Sequence, residues 1–340
     1  MAYTLRNKIR VAFPEGKYKI YAQNGDVVYA GNATKLPNST SSEVVIDVAP
    51  IFRQLVTPFP YENFMESYSN IWWNEKNGSD VDLLQKFTIE TSTGNTLYFN
   101  FYWDYKYEYD YEDGDYWMVT SYGIQDYIYS YQFLPFCVRQ DTNNIESLTL
   151  ENDRDEVVSG YAPNTWGDVF ANTRIDNNRI GQFVKYLVNN ENVTPEYKVV
   201  ERPKNAVTLY YINLNGGLSF VQCDCKNVVE NNISRTQITH NVDIEDNFKF
   251  GLDNYHISNY KTYKLNTNWL NDDQSKKLQE LFMSPRVWIH DYDDNENSDY
   301  GVIKSVVITD TKSTIKNKAN DKLFNYTITC RDSKTENIFC

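Results

Sequence analysis

Apolar and polar residues alternate along much of the chain, and a period of two is typical of half-buried β-strands. Asn24 and Gly25 stand between two short apolar runs, which predicts a hairpin turn. A second pair of apolar runs, within residues 84–103, flanks Gly94. Pro50 opens a short stretch with helical character. The first hundred residues therefore predict β-hairpins and one short helix.

The C-terminal part carries the clearest strand pattern. Gly216 and Gly217 separate two apolar runs and predict another tight turn. Several further runs of strand length follow along the chain. The predicted strands of this part are residues 206–213, 218–222, 236–242, 256–265, 287–290, 302–308 and 323–330.

One segment of the C-terminal part predicts an α-helix at about residues 271–282. Asn271 is a favourable N-cap, and Gln274 stands three residues later, as in a capping box. Two acids in the first turn suit the helix dipole. Ser284 and Pro285 end the helix. The acids are Asp272 and Asp273, and the apolar stripe is Leu278, Leu281 and Phe282.

The fold class that these patterns predict is mainly β, with two β-sandwich or small-barrel domains. Residues 140–200 are poor in apolar residues and rich in Asn, Asp and Thr, which predicts an irregular segment with few short elements. Prolines at 195 and 203 place the boundary near residue 200. The predicted domains are an aromatic-rich β domain at 1–200 and a β domain with one helix at 201–340.

Aromatic residues are unusually frequent, with 28 Tyr, 17 Phe and 7 Trp. Tyrosine favours strands, and aromatic anchors carry much of the binding energy at subunit interfaces. Between residues 104 and 116, Tyr alternates strictly with charged residues, which predicts a strand with one aromatic face. The predicted interface residues are Tyr105, Tyr107, Tyr109, Tyr111, Trp117, Trp269 and Trp288.

The charge balance argues against a free-standing nucleic-acid binder. The net charge is −13, and the chain has no dense cluster of Lys and Arg. No apolar stretch is long enough to predict a membrane span, and the N-terminus lacks the core of a signal peptide. Five cysteines, an odd number, favour reduced thiols.

No catalytic or metal-binding motif rises above chance. The three histidines have no spacing typical of metal ligands, and Cys223 and Cys225 form a CxC pair without further ligands, so packing thiols are favoured. The acidic run that starts at Asp291 begins like a calcium loop but has Glu296 where that loop needs Gly, so a solvated turn is favoured. We therefore expect a non-enzymatic protein without a catalytic residue, cofactor or metal ion.

The C-terminal pattern resembles a module of virion structural proteins in tailed phages that infect Bacteroidales, including the crAss-like group. The resemblance covers roughly residues 205–332, and the first 200 residues have no such resemblance. The segments that carry it are 209–217 (LYYINLNGG), 264–275 (KLNTNWLNDDQS), 277–288 (KLQELFMSPRVW), 302–310 (VIKSVVITD) and 322–329 (KLFNYTIT).

This resemblance implies a tail or neck ring subunit or a tail-hub subunit. Such subunits form closed homo-oligomeric rings of about six or twelve copies through two different patches on each copy. Other tail or neck proteins are the expected partners, DNA only passes through the lumen, and no membrane is involved. The location is the virion tail or neck, after synthesis in the host cytoplasm. Acidic surfaces facing the channel would let DNA slide without sticking.

Two alternatives stay open at this point. A receptor- or carbohydrate-binding subunit of the same particle would use exposed aromatic residues. A polysaccharide hydrolase would need two close carboxylates in an open groove. Ring assembly favours the structural subunit, and glycan binding favours the receptor-binding subunit. The aromatic residues for that second function are Trp72, Trp73, Trp103 and Trp117.

Overall fold

The computed structural model describes residues 10–34, 43–56, 71–74, 85–101, 118–119, 121–139, 147–161, 169–239, 252–291, 301–310 and 324–339. Within these ranges the chain forms 24 strands in five sheets and two α-helices. All strand pairs but one are antiparallel. The prediction of a mainly β protein is confirmed, and the arrangement as two sandwiches or barrels stays a prediction.

The N-terminal part contains the two predicted hairpins in a four-stranded sheet of order β3-β2-β6-β7, beside a separate pair, β1 with β4. Gly25 has a φ of 87° at the first hairpin turn, and Gly94 has a φ of 83° at the second, so both turns use glycine in the left-handed region. The strands are β1 (Arg10–Pro14), β2 (Gly16–Ala22), β3 (Val27–Ala33), β4 (Glu43–Asp47), β6 (Gln85–Thr91) and β7 (Thr96–Phe101).

Helix α1 (Ala49–Leu55) covers this N-terminal sheet and carries the predicted proline in its first turn. Phe52 is fully buried and lies 5.4 Å from the Phe87 ring and 5.5 Å from the Phe99 ring, measured between centroids. These offset aromatic contacts close a small core of their own.

The middle of the chain contains a four-stranded sheet of order β5-β13-β10-β8 and a six-stranded sheet of order β12-β11-β14-β16-β9, in which β15 also pairs with β14. The strands are β5 (Ile71–Asn74), β8 (Met118–Val119), β9 (Tyr127–Tyr129), β10 (Phe133–Arg139), β11 (Leu148–Asn152), β12 (Val157–Tyr161), β13 (Val169–Arg174), β14 (Phe183–Val188), β15 (Glu191–Asn192) and β16 (Tyr197–Val200).

The prediction that residues 140–200 are irregular is wrong, because six of these strands lie in that segment. The segment is poor in apolar residues because its strands bury only part of their side chains. In β11, for example, Leu148 and Leu150 are fully buried, whereas Thr149 and Glu151, which alternate with them, are only half-buried. Asn189 and Asn190 adopt positive φ in the tight turn after β14, which accounts for part of the asparagine content.

The C-terminal part forms an eight-stranded sheet of order β18-β17-β21-β22-β23-β20-β19, in which β24 also pairs with β20. Gly216 has a φ of 79° in the predicted turn between the first two of these strands. The strands are β17 (Val207–Ile212), β18 (Leu218–Cys223), β19 (Val228–Thr239), β20 (Leu252–Asn266), β21 (Val287–Asp291), β22 (Val302–Ile308), β23 (Thr327–Asp332) and β24 (Glu336–Phe339).

The predicted helix is confirmed as α2 (Asp272–Met283), with Asn271 as its N-cap. The capping box is complete: the Gln274 backbone N–H donates to Asn271 Oδ1 at 2.8 Å, and the Asn271 N–H donates to Gln274 Oε1 at 2.9 Å. Leu278 and Leu281 are fully buried against the sheet. Glu280 accepts the Leu214 N–H at 2.9 Å and so ties the helix to the turn after β17.

Strands β17, β18 and β21 are buried on both faces. Leu209 and Tyr211 face the core that contains α2, whereas Tyr210 and Ile212 face the core shared with strands β9 to β11, β13, β14 and β16. The same alternation in β21 directs Ile289 towards the helix side and Trp288 to the opposite side. Continuous burial along a strand requires cover on both faces of the sheet.

A group of buried amides joins these central strands to residues 125–132. Gln222 Nε2 donates to Gln132 Oε1 at 2.5 Å, and Thr208 Oγ1 donates to Gln222 Oε1 at 2.7 Å. The Gln222 backbone N–H donates to Gln125 Oε1, and Gln125 Nε2 donates back to the Gln222 carbonyl. All four side chains are at most 3% exposed, so their hydrogen bonds form without competition from water.

The predicted boundary near residue 200 divides the sheets and not the cores. All strands of the six-stranded sheet precede residue 201, and all strands of the eight-stranded sheet follow residue 206. Tyr210, Phe220 and Trp288 nevertheless pack in one cluster with Phe136 and Tyr186. The two sides of residue 200 therefore share a hydrophobic core.

We expect Gln222→Met to lower the free energy of unfolding by about 2 kcal/mol, because a side chain of similar volume would remove the buried hydrogen bonds that Gln222 makes with Thr208 and Gln132. Urea unfolding followed by fluorescence measures this loss. Gln54→Met, at an exposed position on α1, is the control and should change stability by less than about 0.5 kcal/mol. Equal stabilities of the two variants would contradict a structural role for the amide group.

Candidate subunit interface

The structure places the predicted interface residues in three different situations. Tyr105, Tyr107, Tyr109, Tyr111 and Trp117 lie outside the described residues, as does Trp103. Trp269 lies just before α2 and is 62% exposed, so its indole is available to a partner.

The assignment of Trp288 as an interface residue requires correction. Trp288 is 5% exposed and belongs to the core shared by the middle and C-terminal parts. It is the second residue of β21 and faces away from α2, whereas its neighbours Val287 and Ile289 belong to the cluster that contains the helix. Its indole is therefore used inside the chain.

Much of the tyrosine content of the described residues also serves the core. Tyr210 Oη donates to the Phe133 carbonyl, and Tyr186 Oη donates to the Leu134 carbonyl, each at 2.9 Å. Tyr197 Oη accepts the Gly123 N–H at 2.9 Å. Burial raises the pKa of Tyr197 to about 12, so its hydroxyl stays protonated. Backbone groups thus provide the hydrogen-bond partners of these three buried hydroxyls.

The largest exposed strand surface belongs to β19 and β20, which pair along the whole length of β19 and form what we call the ribbon. These strands have 12 and 15 residues. Every side chain of β19 is exposed except the half-buried Asn232. Among the described residues, β19 is the outermost strand of its sheet.

The sequence predicted only part of the ribbon, at 236–242 and 256–265. The missed half begins at Val228 and mixes Val, Glu, Asn, Ile and Ser without regular alternation. Alternation arises when one face of a strand is buried, and β19 has no buried face. The one signal for the missed half of β19 is the length of β20. A strand of 15 residues needs a second strand beside it to pair its backbone groups.

One face of the ribbon continues the core face of the sheet and is mixed in character, because Val229, Ile233 and Ile257 alternate there with polar residues. The polar residues of this core-side face are Asn231, Arg235, Asn259 and Lys261. Tyr263 is 1% exposed in the core, and Val229 pairs with it across the ribbon. Ile233 and Ile257 lie further along the same face, where the core no longer covers them. Val229 is 53% exposed and Ile233 is 51% exposed. Two exposed aliphatic side chains on one face, with Asn231 between them, make this end of the ribbon a candidate contact surface.

The opposite face of the ribbon is polar and internally paired. Lys264 Nζ lies 2.7 Å from Glu230 Oε1. Asn232 Nδ2 donates to Thr262 Oγ1 at 2.7 Å. These cross-strand pairs hold β19 on β20 and satisfy the polar groups of this face.

Asp332 anchors the base of the ribbon to β23. Its carboxylate accepts Tyr263 Oη at 3.0 Å and the Lys261 backbone N–H at 3.1 Å. Burial, together with the nearby Asp332 carboxylate, raises the pKa of Tyr263 well above its usual value, so the hydroxyl remains a donor. The ribbon is therefore joined firmly to the body of the sheet.

The ribbon differs from the whole chain in charge. It contains two acids, Glu230 and Asp253, and three bases, Arg235, Lys261 and Lys264, so its net charge is +1. The whole chain has a net charge of −13. The excess negative charge consequently lies entirely outside the ribbon, and a contact through the ribbon avoids much of the repulsion between copies.

The structure describes four of the five cysteines and histidines that were considered as metal ligands, and each lies on or next to a β-strand. Cys223 is buried at the end of β18, whereas Cys225 lies beyond the strand and is half-buried. His290 is 1% exposed and stacks on the Phe133 ring at 6.1 Å between centroids. His256 is half-buried on β20, and His240 lies outside the described residues. Nearly all of the acidic run after Asp291 also lies outside them.

The described part of the chain contains no group of three or more His, Cys, Asp or Glu side chains placed to hold a metal ion. Over the same residues, neither helix has the length and apolar character needed to cross a membrane. Comparison with known proteins adds no family: no protein-family model matches the chain, and no curated protein matches it significantly.

We expect thiol alkylation of the native protein to modify Cys225 before Cys223 and Cys330. Burial holds the pKa of Cys223 well above its usual value and raises the pKa of Cys330 to about 12, so neither thiol forms the reactive thiolate near neutral pH. Peptide mass spectrometry after a timed reaction with iodoacetamide measures the order. Equal reaction of all three thiols after denaturation is the control, and fast native labelling of Cys330 would contradict the buried arrangement.

Proposed function

We propose that this protein is a non-enzymatic structural subunit of a phage virion, in a tail or neck ring or in the tail hub. Copies join through protein–protein contacts and surround the channel through which DNA passes. The resemblance of residues 205–332 to phage virion proteins gives the biological setting, and the ribbon supports self-assembly as the physical activity.

The observation that carries the proposal is the exposure of two aliphatic side chains, Val229 and Ile233, on the core-side face of the ribbon. Val229, Ile233 and Ile257 continue a core face beyond its cover, on a ribbon that Asp332 holds to the sheet. Covering Val229 and Ile233 on assembly would remove apolar surface from water, which favours association. A rigid surface also loses little conformational entropy when it binds.

A closed ring needs a second, different patch on each copy. The exposed Trp269 and the tyrosine-rich segment 105–111 are the predicted candidates for that patch. Aromatic anchors of this kind often dominate the binding energy of an interface. The neighbouring tail or neck proteins would bind at the remaining exposed strands and loops.

Val229→Asp should weaken self-assembly about tenfold or more, roughly 1.4 kcal/mol per interface, because the carboxylate would have to be desolvated in the contact. Native mass spectrometry and negative-stain imaging over a concentration series measure the assembly. Val157→Asp is a matched control: Val157 is 56% exposed, against 53% for Val229, and both residues lie on strands at the end of their sheet.

Rings of the wild-type protein that are lost in Val229→Asp and kept in Val157→Asp would support the proposal. Rings that form equally well in both variants would show that the ribbon is not the interface. A wild-type chain that stays monomeric at every concentration would contradict self-assembly. A glycan screen would then test the receptor-binding alternative, with Trp269→Ala as the variant expected to lose binding.

A further inference from the structure

We propose that the outer edge of β19 adds a strand from a second copy of this chain, through backbone hydrogen bonds. This inference rests on the proposed function, because it specifies how the ribbon joins two copies. It concerns the backbone hydrogen bonds of β19 and not only the exposed side chains of Val229 and Ile233.

The direction of the β19 backbone groups follows from the contacts of β20. The Lys261 N–H donates to Asp332 on β23, so the polar backbone groups of Lys261 point away from β19. In an antiparallel pair, directly opposite residues both point inwards or both point outwards. Asn231 lies opposite Lys261, and its N–H and C=O therefore point outwards from the sheet.

A second contact agrees with this assignment. The Asn266 N–H donates to Asn227 Oδ1, so the backbone of Asn266 points towards the β19 side. Alternation along β20 then directs its even-numbered residues to β19 and its odd-numbered residues to β23 and β24. The outward backbone groups of β19, up to the irregularity after Thr236, are those of Val229, Asn231, Ile233 and Arg235.

This edge lacks most of the features that protect edge strands from pairing. Short length, proline, lysine, inward-pointing charges and β-bulges are the usual protection. β19 has one register irregularity, after Thr236, so its regular open edge extends from Val228 to Thr236. β19 has 12 residues and contains neither proline nor lysine. One of its two charged side chains, Glu230, is already paired with Lys264 on the polar face. Among the described residues no strand pairs with the outer edge of β19.

Two other edges in the described part of the chain are less open. β18, at the opposite end of the same sheet, is buried at every position. β12, at one end of the six-stranded sheet, has five residues and a register irregularity opposite Leu150 and Glu151. The length of continuous pairing thus favours β19 over both of them.

The distribution of charge along the chain favours a second copy as the partner that binds at the edge of β19. The ribbon has a net charge of +1, and the rest of the chain carries a large negative excess. A ribbon placed against the acidic body of another copy gains favourable electrostatic energy. The outward residues Val229 and Ile233 would at the same time be covered by side chains of the added strand, since neighbouring strands share their faces.

Residue-resolved hydrogen exchange, comparing assembled protein with dilute monomer, tests the inference on the unmodified chain. The amides of Val229, Asn231, Ile233 and Arg235 should exchange at least about tenfold more slowly in the assembly, because each gains a hydrogen bond or loses contact with water. The amides of Glu230, Asn232 and Ser234 already pair with β20 and should be protected in both states.

A pair of variants at Asn231 separates backbone from side-chain contacts. Asn231→Pro removes an outward N–H without touching the pairing to β20, and proline is tolerated on an edge in that orientation. We expect it to weaken assembly at least about tenfold, since the ring also obstructs the added strand. Asn231→Ala keeps the N–H and should assemble like the wild type. The unfolding midpoints of both variants establish that the monomers are folded.

The outcomes distinguish this inference from the proposed function. Assembly with outward amides that still exchange rapidly, or with equal loss in Asn231→Pro and Asn231→Ala, would overturn strand addition and leave the structural subunit standing. Absence of any assembly of the wild-type chain would overturn both. Slow exchange confined to the outward amides, with loss of assembly only in Asn231→Pro, is the expected result.

Discussion

Burial of β17, β18 and β21 on both faces is the constraint on which the rest of the structure depends. Helix α2 covers one face, and strands β9 to β11, β13, β14 and β16 cover the other. A strand without a solvent side must satisfy each polar group inside the protein. Thr208 and Gln222 meet this demand through Gln125 and Gln132, so hydrophobic contact and amide hydrogen bonds act between the same pair of surfaces.

The other end of the same sheet is exposed to solvent on both faces of β19. Both covering layers stop before β19, and the face that is buried at Tyr263 carries Val229 and Ile233 exposed beyond that cover. Cross-strand pairs and the Asp332 contacts hold the ribbon in place even so. Polar contacts thus hold a ribbon whose aliphatic side chains stay exposed when the chain folds alone. Such side chains are typical of a surface that a partner covers.

Local signals in the sequence predicted the local structure well. Asn271 with Gln274 identified the start of α2, and Asn24 with Gly25 identified a hairpin, because caps and turns depend on a few neighbouring residues. The errors concern long-range packing. Trp288 was assigned to a surface although it is buried by residues more than a hundred positions away. β19 lacks alternation because nothing covers it, so periodicity gave no signal for the exposed strand that the candidate interface needs.

The charge of the chain limits how its copies can meet. With a net charge of −13, two copies repel at long range, and only a contact of low or opposite charge lowers that repulsion at short range. The ribbon, with its net charge of +1, is such a surface. Its outward backbone groups add a directional requirement, since strand pairing fixes orientation and register in a way that an aliphatic patch alone does not. A subunit that must take the same position in every copy of an assembly needs that combination of attraction and geometry.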